Sequence, residues 1–235
     1  AHVPGYLGHV AGHVLGSARG LPSDRWDAAQ AVLSDALFAL LTGRSDVPGV
    51  AVLRNDGNRG AGYSVRRVLL HAREKGYLAV CLVAGNDKDR PEDIGPLTRP
   101  VLDGTADFVQ GSRYAPGGRF GNMPLHRRLA TQLLHPMLVR LLTGRRLSDT
   151  TNGFRAVRLA ILDDARIDLG QSWLDRYELE PYLLYKVLTL GYRVCEVPVT
   201  KIYPPHAEGY SKIRPFSGWW SILRPFVYLS LGIRR

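Results

Sequence analysis

Phosphate chemistry needs fixed positive charge, backbone amides able to approach an anion closely, and sometimes a divalent cation held by oxygen ligands. Three short clusters in this chain offer such groups. Asn58-Arg59-Gly60-Ala61-Gly62 stands before a helical stretch. Glycine lets backbone come close to a phosphate, and a helix N-terminus favours anions. The third glycine of a dinucleotide fingerprint is absent. Ala84-Gly85-Asn86-Asp87-Lys88-Asp89 gathers oxygen side chains of the kind that bind Mg²⁺ or Mn²⁺ across a diphosphate. The same run also suits a hydrophilic turn with Asp89 as a helix cap. Gly111-Ser112-Arg113-Tyr114 supplies a guanidinium fork, and Arg119, Arg127 and Arg128 follow it. Near the end, Lys201, Lys212 and Arg214 flank a Pro/Gly-rich loop. His9 and His13 are four apart but have no third ligand beside them, so they read as a packed or solvated pair.

The elements that must carry these clusters follow from periodicity and punctuation. Trp26–Leu41 has a helical pattern stopped by Gly43, and Val50–Leu53 is a short apolar run of strand type. Residues 63–75 predict a helix ended by Gly76, and Leu78–Val83 a buried strand. Pro91–Leu102 predicts a helix with Pro first and Glu92 and Asp93 in its opening turn. Asp107–Gln110 reads as another strand, Leu125–Leu142 as a long apolar-and-basic helix and Thr143–Arg155 as a polar loop. Residues 177–190 predict a helix capped by Gly191, and Arg193–Val199 a strand. Alternating strands and helices predict an α/β fold on a mainly parallel sheet flanked by helices. In such sheets ligands bind beyond the carboxyl ends of strands, which makes loops 54–62, 84–90 and 111–122 the site candidates.

The chain has 235 residues, enough for one domain with a sizeable core. Its two cysteines, Cys81 and Cys195, exclude a disulfide scaffold and a cysteine-rich zinc site. No stretch reaches 18 apolar residues, so the sequence contains no complete transmembrane helix. Residues 1–118 carry 13 basic and 12 acidic side chains, whereas residues 119–235 carry 18 and 9. That asymmetry points to a polyanionic partner for the second half. Arg214, Arg224, Arg234 and Arg235 punctuate a terminal aromatic segment containing Trp219 and Trp220, a pattern suited to anionic lipid. No recognition helix or aromatic platform motif supports nucleic-acid binding.

Together these clusters resemble family 2 glycosyltransferases of the dolichol-phosphate mannose synthase type, which have a GT-A fold. Three blocks carry the resemblance across residues 50–215: Asn58-Arg59-Gly60-x-Gly62, Asp107-Phe108-Val109-Gln110-Gly111-Ser112-Arg113-Tyr114, and Asp149-Thr150-Thr151-Asn152-Gly153-Phe154-Arg155. The last is similar to the family's Asp-x-Thr-Ser-Gly-Phe-Arg. The strand Val194–Pro198 and Gly209-Tyr210-Ser211-Lys212 are similar to acceptor-side elements. Two departures stand out. The family's metal motif is Asp-x-Asp, often followed two residues on by Gln or Ser. Counting back from Pro91-Glu92-Asp93-Ile94, Ala84 and Asn86 hold the two Asp places. The family's opening Pro-x-Tyr-Asn-Glu is echoed only by Val3-Pro4-Gly5-Tyr6, and its Asp-Asp-Gly-Ser has no counterpart in residues 1–49.

The resemblance implies transfer of a sugar from a nucleoside-diphosphate sugar to a polyprenyl phosphate. The enzyme would be peripheral, on the cytoplasmic face of the membrane. It places Arg113, Arg127 and Lys212 as phosphate-contacting catalytic groups. Arg59, Gly60, Asn86, Ser112, Tyr114, Arg119, Asn152, Arg155 and Ser211 become substrate-binding candidates. Asp87 and Asp89 become the ligands of a displaced Mg²⁺ or Mn²⁺ site. Residues 1–215 form the expected transferase domain, atypical over 1–49, and 216–235 an amphipathic helix lying on the membrane. The rival expectation is a non-catalytic module of the same fold, a lipid-phosphate binder or partner subunit, motivated by Ala84 and the missing Asp-Asp-Gly-Ser.

Overall fold

The computed structural model describes residues 53, 55–84, 88–203 and 217–234. The predicted helix at 26–41, most of the predicted strand at 50–53 and the His9/His13 pair lie outside the described residues. So do the candidate residues Asn86, Asp87, Ser211 and Lys212.

Helix α1 (Ala61–Glu74) buries Val65, Val68, Leu69 and Ala72, the i, i+3, i+4, i+7 stripe of an amphipathic helix. Strand β1 (Ala79–Leu82) is buried throughout. A 3₁₀ turn at Pro91–Asp93 leads into α2 (Ile94–Leu102), and β2 (Phe108–Ser112) follows, again fully buried. Short β3 (Arg119–Gly121) precedes a helical rod made of α3 (Leu125–Leu129), a π-helical turn (Ala130–Leu134) and α4 (His135–Thr143). Pro136 explains the π turn. It has no N–H to give back to residue 132, so the ladder widens just before it. Beyond a loop come β4 (Arg155–Arg158), α5 (Leu179–Thr189), β5 (Val194–Pro198), β6 (Thr200–Ile202) and α6 (Ser217–Ser230).

The four-stranded sheet has the order β1-β4-β2-β5. Only β2 and β5 run parallel; β4 lies between β1 and β2 and is antiparallel to both. The expected mainly parallel sheet is therefore corrected to a mixed one. The cause is β4, a strand the alternation of elements did not reveal. Its Arg-Ala-Val-Arg sequence looks like the end of a polar loop, yet Arg155 is buried within it. A second sheet pairs β3 with β6 in parallel, matching Phe120 with Lys201. Two cores flank the main sheet. The larger joins α1, β1, β2, α5 and Phe226 of α6; the smaller lies under α2 with Ile94, Leu97, Val101 and Val199. Among the described residues no helix is long and apolar enough to cross a membrane.

Candidate functional site

Two of the three predicted loops converge. Asp89, at the end of the 84–90 loop, forms an isolated antiparallel bridge with Lys201 of β6, and β6 pairs with β3 from the 111–122 segment. Tyr203, just beyond β6, is the hub. Its hydroxyl accepts a hydrogen bond from Arg113 Nη1 at 3.0 Å. Its ring carries two cations, Lys88 Nζ and the Arg127 guanidinium, each 5.1 Å from the centroid. Asn122 holds the Tyr203 carbonyl at 2.8 Å. Lys88, Arg113 and Arg127, from three separate stretches of chain, thus meet around one phenol, and Lys201 lies close enough to Lys88 to act on its charge. The crowding has an electrostatic signature: burial first, then the charges of Arg127 and Lys201, pull the Lys88 ammonium below its ordinary pKa.

Arg113 lies at the centre of this arrangement, and its surroundings differ from the expected open phosphate fork. Its side chain is 2% exposed and faces Asp149, which is 0% exposed, through Nε–Oδ2 at 2.6 Å and Nη2–Oδ1 at 2.8 Å. Nη2 also reaches Thr151 Oγ1 at 2.7 Å. Burial works to raise the Asp149 carboxyl, but the Arg113 charge and hydrogen bonds from Arg113 and Thr151 outweigh it. They hold it below the usual carboxylate range. Arg113 therefore ties the β2 end, the 149–151 loop and Tyr203 into one unit. Glu196 of β5 secures the same loop, its carboxylate accepting from the amides of Ser148 and Asp149 at 2.8–2.9 Å.

The other predicted site residues divide. Tyr114 stands at the edge of the cluster, its hydroxyl sharing a hydrogen bond with Thr131 at 2.6 Å and its ring edge-on to Phe120. Arg119 is exposed on β3. Ser112 is fully buried and caps its own turn, accepting from the amides of Tyr114 and Ala115. Asn152 and Arg155, expected to bind substrate, are buried and hydrogen-bonded within the protein. The Asn152 carbonyl accepts from Gln110 and Arg155, and Arg155 also donates to the Glu180 carbonyl. A side chain so enclosed supports the Asn152-Gly153-Phe154-Arg155 turn rather than a ligand.

The third loop goes elsewhere. Gly60, at φ +98°, and Gly62 are needed for close packing: a Cβ on Gly62 would sit on the Leu174 carbonyl oxygen. The first amides of α1 donate to protein carbonyls, Gly62 to Arg176 at 2.5 Å and Tyr63 to Asp175 at 2.9 Å. These glycines pack against the 174–176 backbone, and Arg59 stacks over Tyr63.

Sequence reasoning missed Tyr203, Glu196, His135, Asp149 as the partner of Arg113, and Asp89 as the partner of Lys201. Buried His135 bonds Thr150 Oγ1 through Nδ1 at 2.6 Å and meets Phe226 of α6 edge-on. Burial lowers its pKa to about 4. Long-range pairing alone brings these residues to the site, and no local spacing announces it.

Comparison with known proteins then decides the kinship. The chain is 31% identical over 161 residues to the undecaprenyl-phosphate mannosyltransferase of Micrococcus luteus, covering 68% of this chain and 63% of that protein. It is 30% identical over 156 residues to the polyprenol monophosphomannose synthase of Mycolicibacterium smegmatis, covering 66% of this chain and 57% of the relative. It is 26% identical over 160 residues to a UDP-N-acetylglucosamine–dolichyl-phosphate N-acetylglucosaminyltransferase of Methanococcus voltae, covering 67% and 61%. The chain is thus similar, at 26–31% identity over about two thirds of its length, to polyprenyl- and dolichyl-phosphate sugar transferases, which are family 2 glycosyltransferases. It spans about six-tenths of the length of these relatives. No family model matches it.

Enzymes of this family generally depend on a divalent metal. The described residues do not fit one. Asp89, an expected ligand, is buried with both carboxylate oxygens 2.6 Å from Lys201 Nζ. Asp93 accepts from the Thr200 amide at 2.6 Å. Ala84 has no donor atom. Among the described residues no three His, Cys, Asp or Glu side chains are grouped to hold a metal ion. Asp89, an expected metal ligand, is the ion-pair partner of Lys201 in this structure, and Asp87 lies outside the described residues.

Proposed function

We propose that this protein transfers a sugar from a nucleoside-diphosphate sugar to a polyprenyl phosphate at a membrane surface. The observation that carries the reading is the meeting of Lys88, Arg113 and Arg127 around Tyr203, just beyond β6. The relatives' names supply the acceptor class.

The chemistry asks little of a general base. The acceptor phosphate is already an anion, so one of its oxygens bonds to the sugar's anomeric carbon as the bond to the diphosphate breaks. What the protein must supply is orientation and compensation of negative charge as the nucleoside diphosphate departs. Lys88 and Arg127 are the groups proposed to face phosphate. Arg113 acts as a positioning residue, holding Tyr203 beneath both of them. Lys212 and Ser211 are proposed to add acceptor contacts from the segment after Tyr203. The domain is proposed to run over residues 1–215, with 216–235 as its membrane-facing extension.

The surface supports membrane contact. The α3–α4 rod buries a narrow stripe, Thr131, His135 and Val139, and exposes Leu125, Leu129, Leu133, Leu134, Met137 and Leu141. Arg128, Arg140, Arg145 and Arg146 are exposed on and beside it. An exposed apolar ridge rimmed by arginines suits an anionic lipid surface, here the cytoplasmic face, where nucleotide sugars are made. Trp220 of α6 is also exposed. The test is incubation of the full chain with GDP-mannose, UDP-glucose and UDP-N-acetylglucosamine, each with polyprenyl phosphate, with and without Mg²⁺ or Mn²⁺. Formation of a lipid-linked sugar supports the reading; its absence from a folded preparation with every donor overturns it.

A further inference from the structure

We infer that His135 is a positioning residue for the transfer site: through Thr150 it fastens the 149–151 loop to the α3–α4 rod, and so fixes Arg113 and Arg127 relative to one another around Tyr203. The inference rests on the transfer reading above and deepens it.

The contacts form a closed circuit. Arg127 leaves the rod and lies over the Tyr203 ring, 5.1 Å from its centroid. The Tyr203 hydroxyl accepts from Arg113 Nη1, and Arg113 Nε and Nη2 grip Asp149 and Thr151. Thr150, between those two residues, is buried, and its hydroxyl shares a 2.6 Å hydrogen bond with His135 Nδ1. His135 opens α4, on the same rod as Arg127, so the path returns to the element where it began. A crossbar spans the circuit. Tyr114, next to Arg113, shares a 2.6 Å hydrogen bond with Thr131 on the inner face of the rod, and Thr131 also donates to the Arg127 carbonyl at 2.9 Å. Glu196 holds the start of the loop from β5 through the amides of Ser148 and Asp149. His135 holds the loop to the rod, which is the element that carries Arg127.

An imidazole suits packing poorly at this place. It is 1% exposed and meets Phe226 edge-on, and its Nε2 has no hydrogen bond among the described residues. Burying that nitrogen without a partner costs stability that a leucine would not lose. What the imidazole supplies and a leucine lacks is the bond to Thr150.

The test compares Thr150→Val, which keeps the shape and removes the hydroxyl, with Thr150→Ser, which keeps the hydroxyl and removes a methyl group. Each is assayed for sugar transfer to polyprenyl phosphate with the nucleotide sugars named above, and for amide hydrogen exchange; thermal melts establish folding. Thr150→Val should lower kcat about ten- to hundredfold, the scale of a small misplacement of charged groups. Thr150→Ser should stay within about threefold of wild type. A packing role gives the reverse order, because Thr150→Ser leaves a void and Thr150→Val does not. The amides of Arg113 and Thr151, both bonded to Asp149, should exchange at least tenfold faster in Thr150→Val, with the β1 amides unchanged. His135→Leu is the second variant, and His135→Leu/Thr150→Val should lose no more activity than either alone. Wild-type kcat in Thr150→Val overturns the inference. So does a Thr150→Ser protein as impaired as Thr150→Val, losses that add in the double variant, or unchanged exchange at Arg113 and Thr151. A wild type that transfers no sugar from any donor removes the transfer reading, and exchange at Arg113 and Thr151 then decides by itself whether His135 positions the cluster. Sugar transfer by the wild type that Thr150→Val leaves untouched keeps the transfer reading and removes the inference.

Discussion

Replacing Arg113 by alanine removes three guanidinium donors from a fully enclosed site. Asp149 is left buried, hydrogen-bonded by the Arg113 amide at 3.1 Å and by the Thr151 amide and hydroxyl at 3.2 and 3.3 Å, with the charge of buried Arg155 still acting on it. Breaking a buried ion pair from one side costs about 3–5 kcal/mol, and the remaining donors place this case near about 3 kcal/mol. For a protein of this size that lowers the melting temperature by about 6–12 °C. The pH dependence has a definite sign. In the wild type the depressed Asp149 carboxyl contributes stability that is full above the ordinary carboxylate pKa and lost as pH falls below it. In Arg113→Ala, burial without the paired guanidinium raises that carboxyl, so its penalty is present at pH 7 and relieved on acidification. The stability gap between the two proteins should be widest at pH 7 and narrow towards pH 4. Urea melts at both pH values measure it. The double variant Arg113→Met/Asp149→Leu should be less destabilised than Arg113→Ala, because no charge is stranded. An Arg113→Ala protein melting within about 1 °C of wild type, or a gap that does not change with pH, would refute the assignment of Arg113 as a buried positioning residue.

Other consequences are open to the same kind of check. His135, neutral in the fold with a pKa lowered to about 4, binds its proton far more readily when unfolded. Its contribution is full above about pH 6.5, and roughly 3 kcal/mol is lost as pH falls to 4. His135→Asn should flatten that limb of the stability profile. Arg224→Ala strands Glu178, which is fully buried and paired with it between α6 and the start of α5, and should cost about 3 kcal/mol in denaturant melts. Gly62→Ala should destabilise by about 3 kcal/mol or abolish soluble expression, because a methyl group collides with the Leu174 carbonyl. Leu129→Ser/Leu133→Ser/Leu141→Ser should leave the thermal melt within about 2 °C while reducing sedimentation with phosphatidylglycerol vesicles severalfold.

The sequence was most legible where signals are local. Pro91 with Glu92 and Asp93, the stripe Val65–Ala72 and the apolar runs at β1 and β2 all formed the elements their patterns predict. The rod at 125–143 was legible in extent, though its π turn was not. Strand β4 was hidden because arginines bracket two apolar residues, and only pairing with β1 and β2 makes it a strand. The site was half legible. Motif order led to Arg113 and Arg127, but composition cannot tell an arginine that faces ligand from one that faces Asp149. Tyr203 lies 90 residues from Arg113, Lys201 lies 112 residues from Asp89, and Glu196 lies 47 residues from the Asp149 amide it accepts from. Such contacts come from sheet topology, which carries no mark in local spacing. The glycines at 60 and 62 show the opposite error: a phosphate-loop spacing that the fold uses for packing.

The most direct measurement of the central claim is transfer of radiolabelled sugar from each of a set of nucleotide sugars to polyprenyl phosphate by the purified full chain, read as organic-extractable label. The reading predicts label in the lipid phase with at least one donor, and at least tenfold less with folded Lys88→Gln. Lipid-phase label at background for every donor, with a protein whose thermal melt is cooperative, would contradict it and favour a lipid-phosphate-binding module without catalysis.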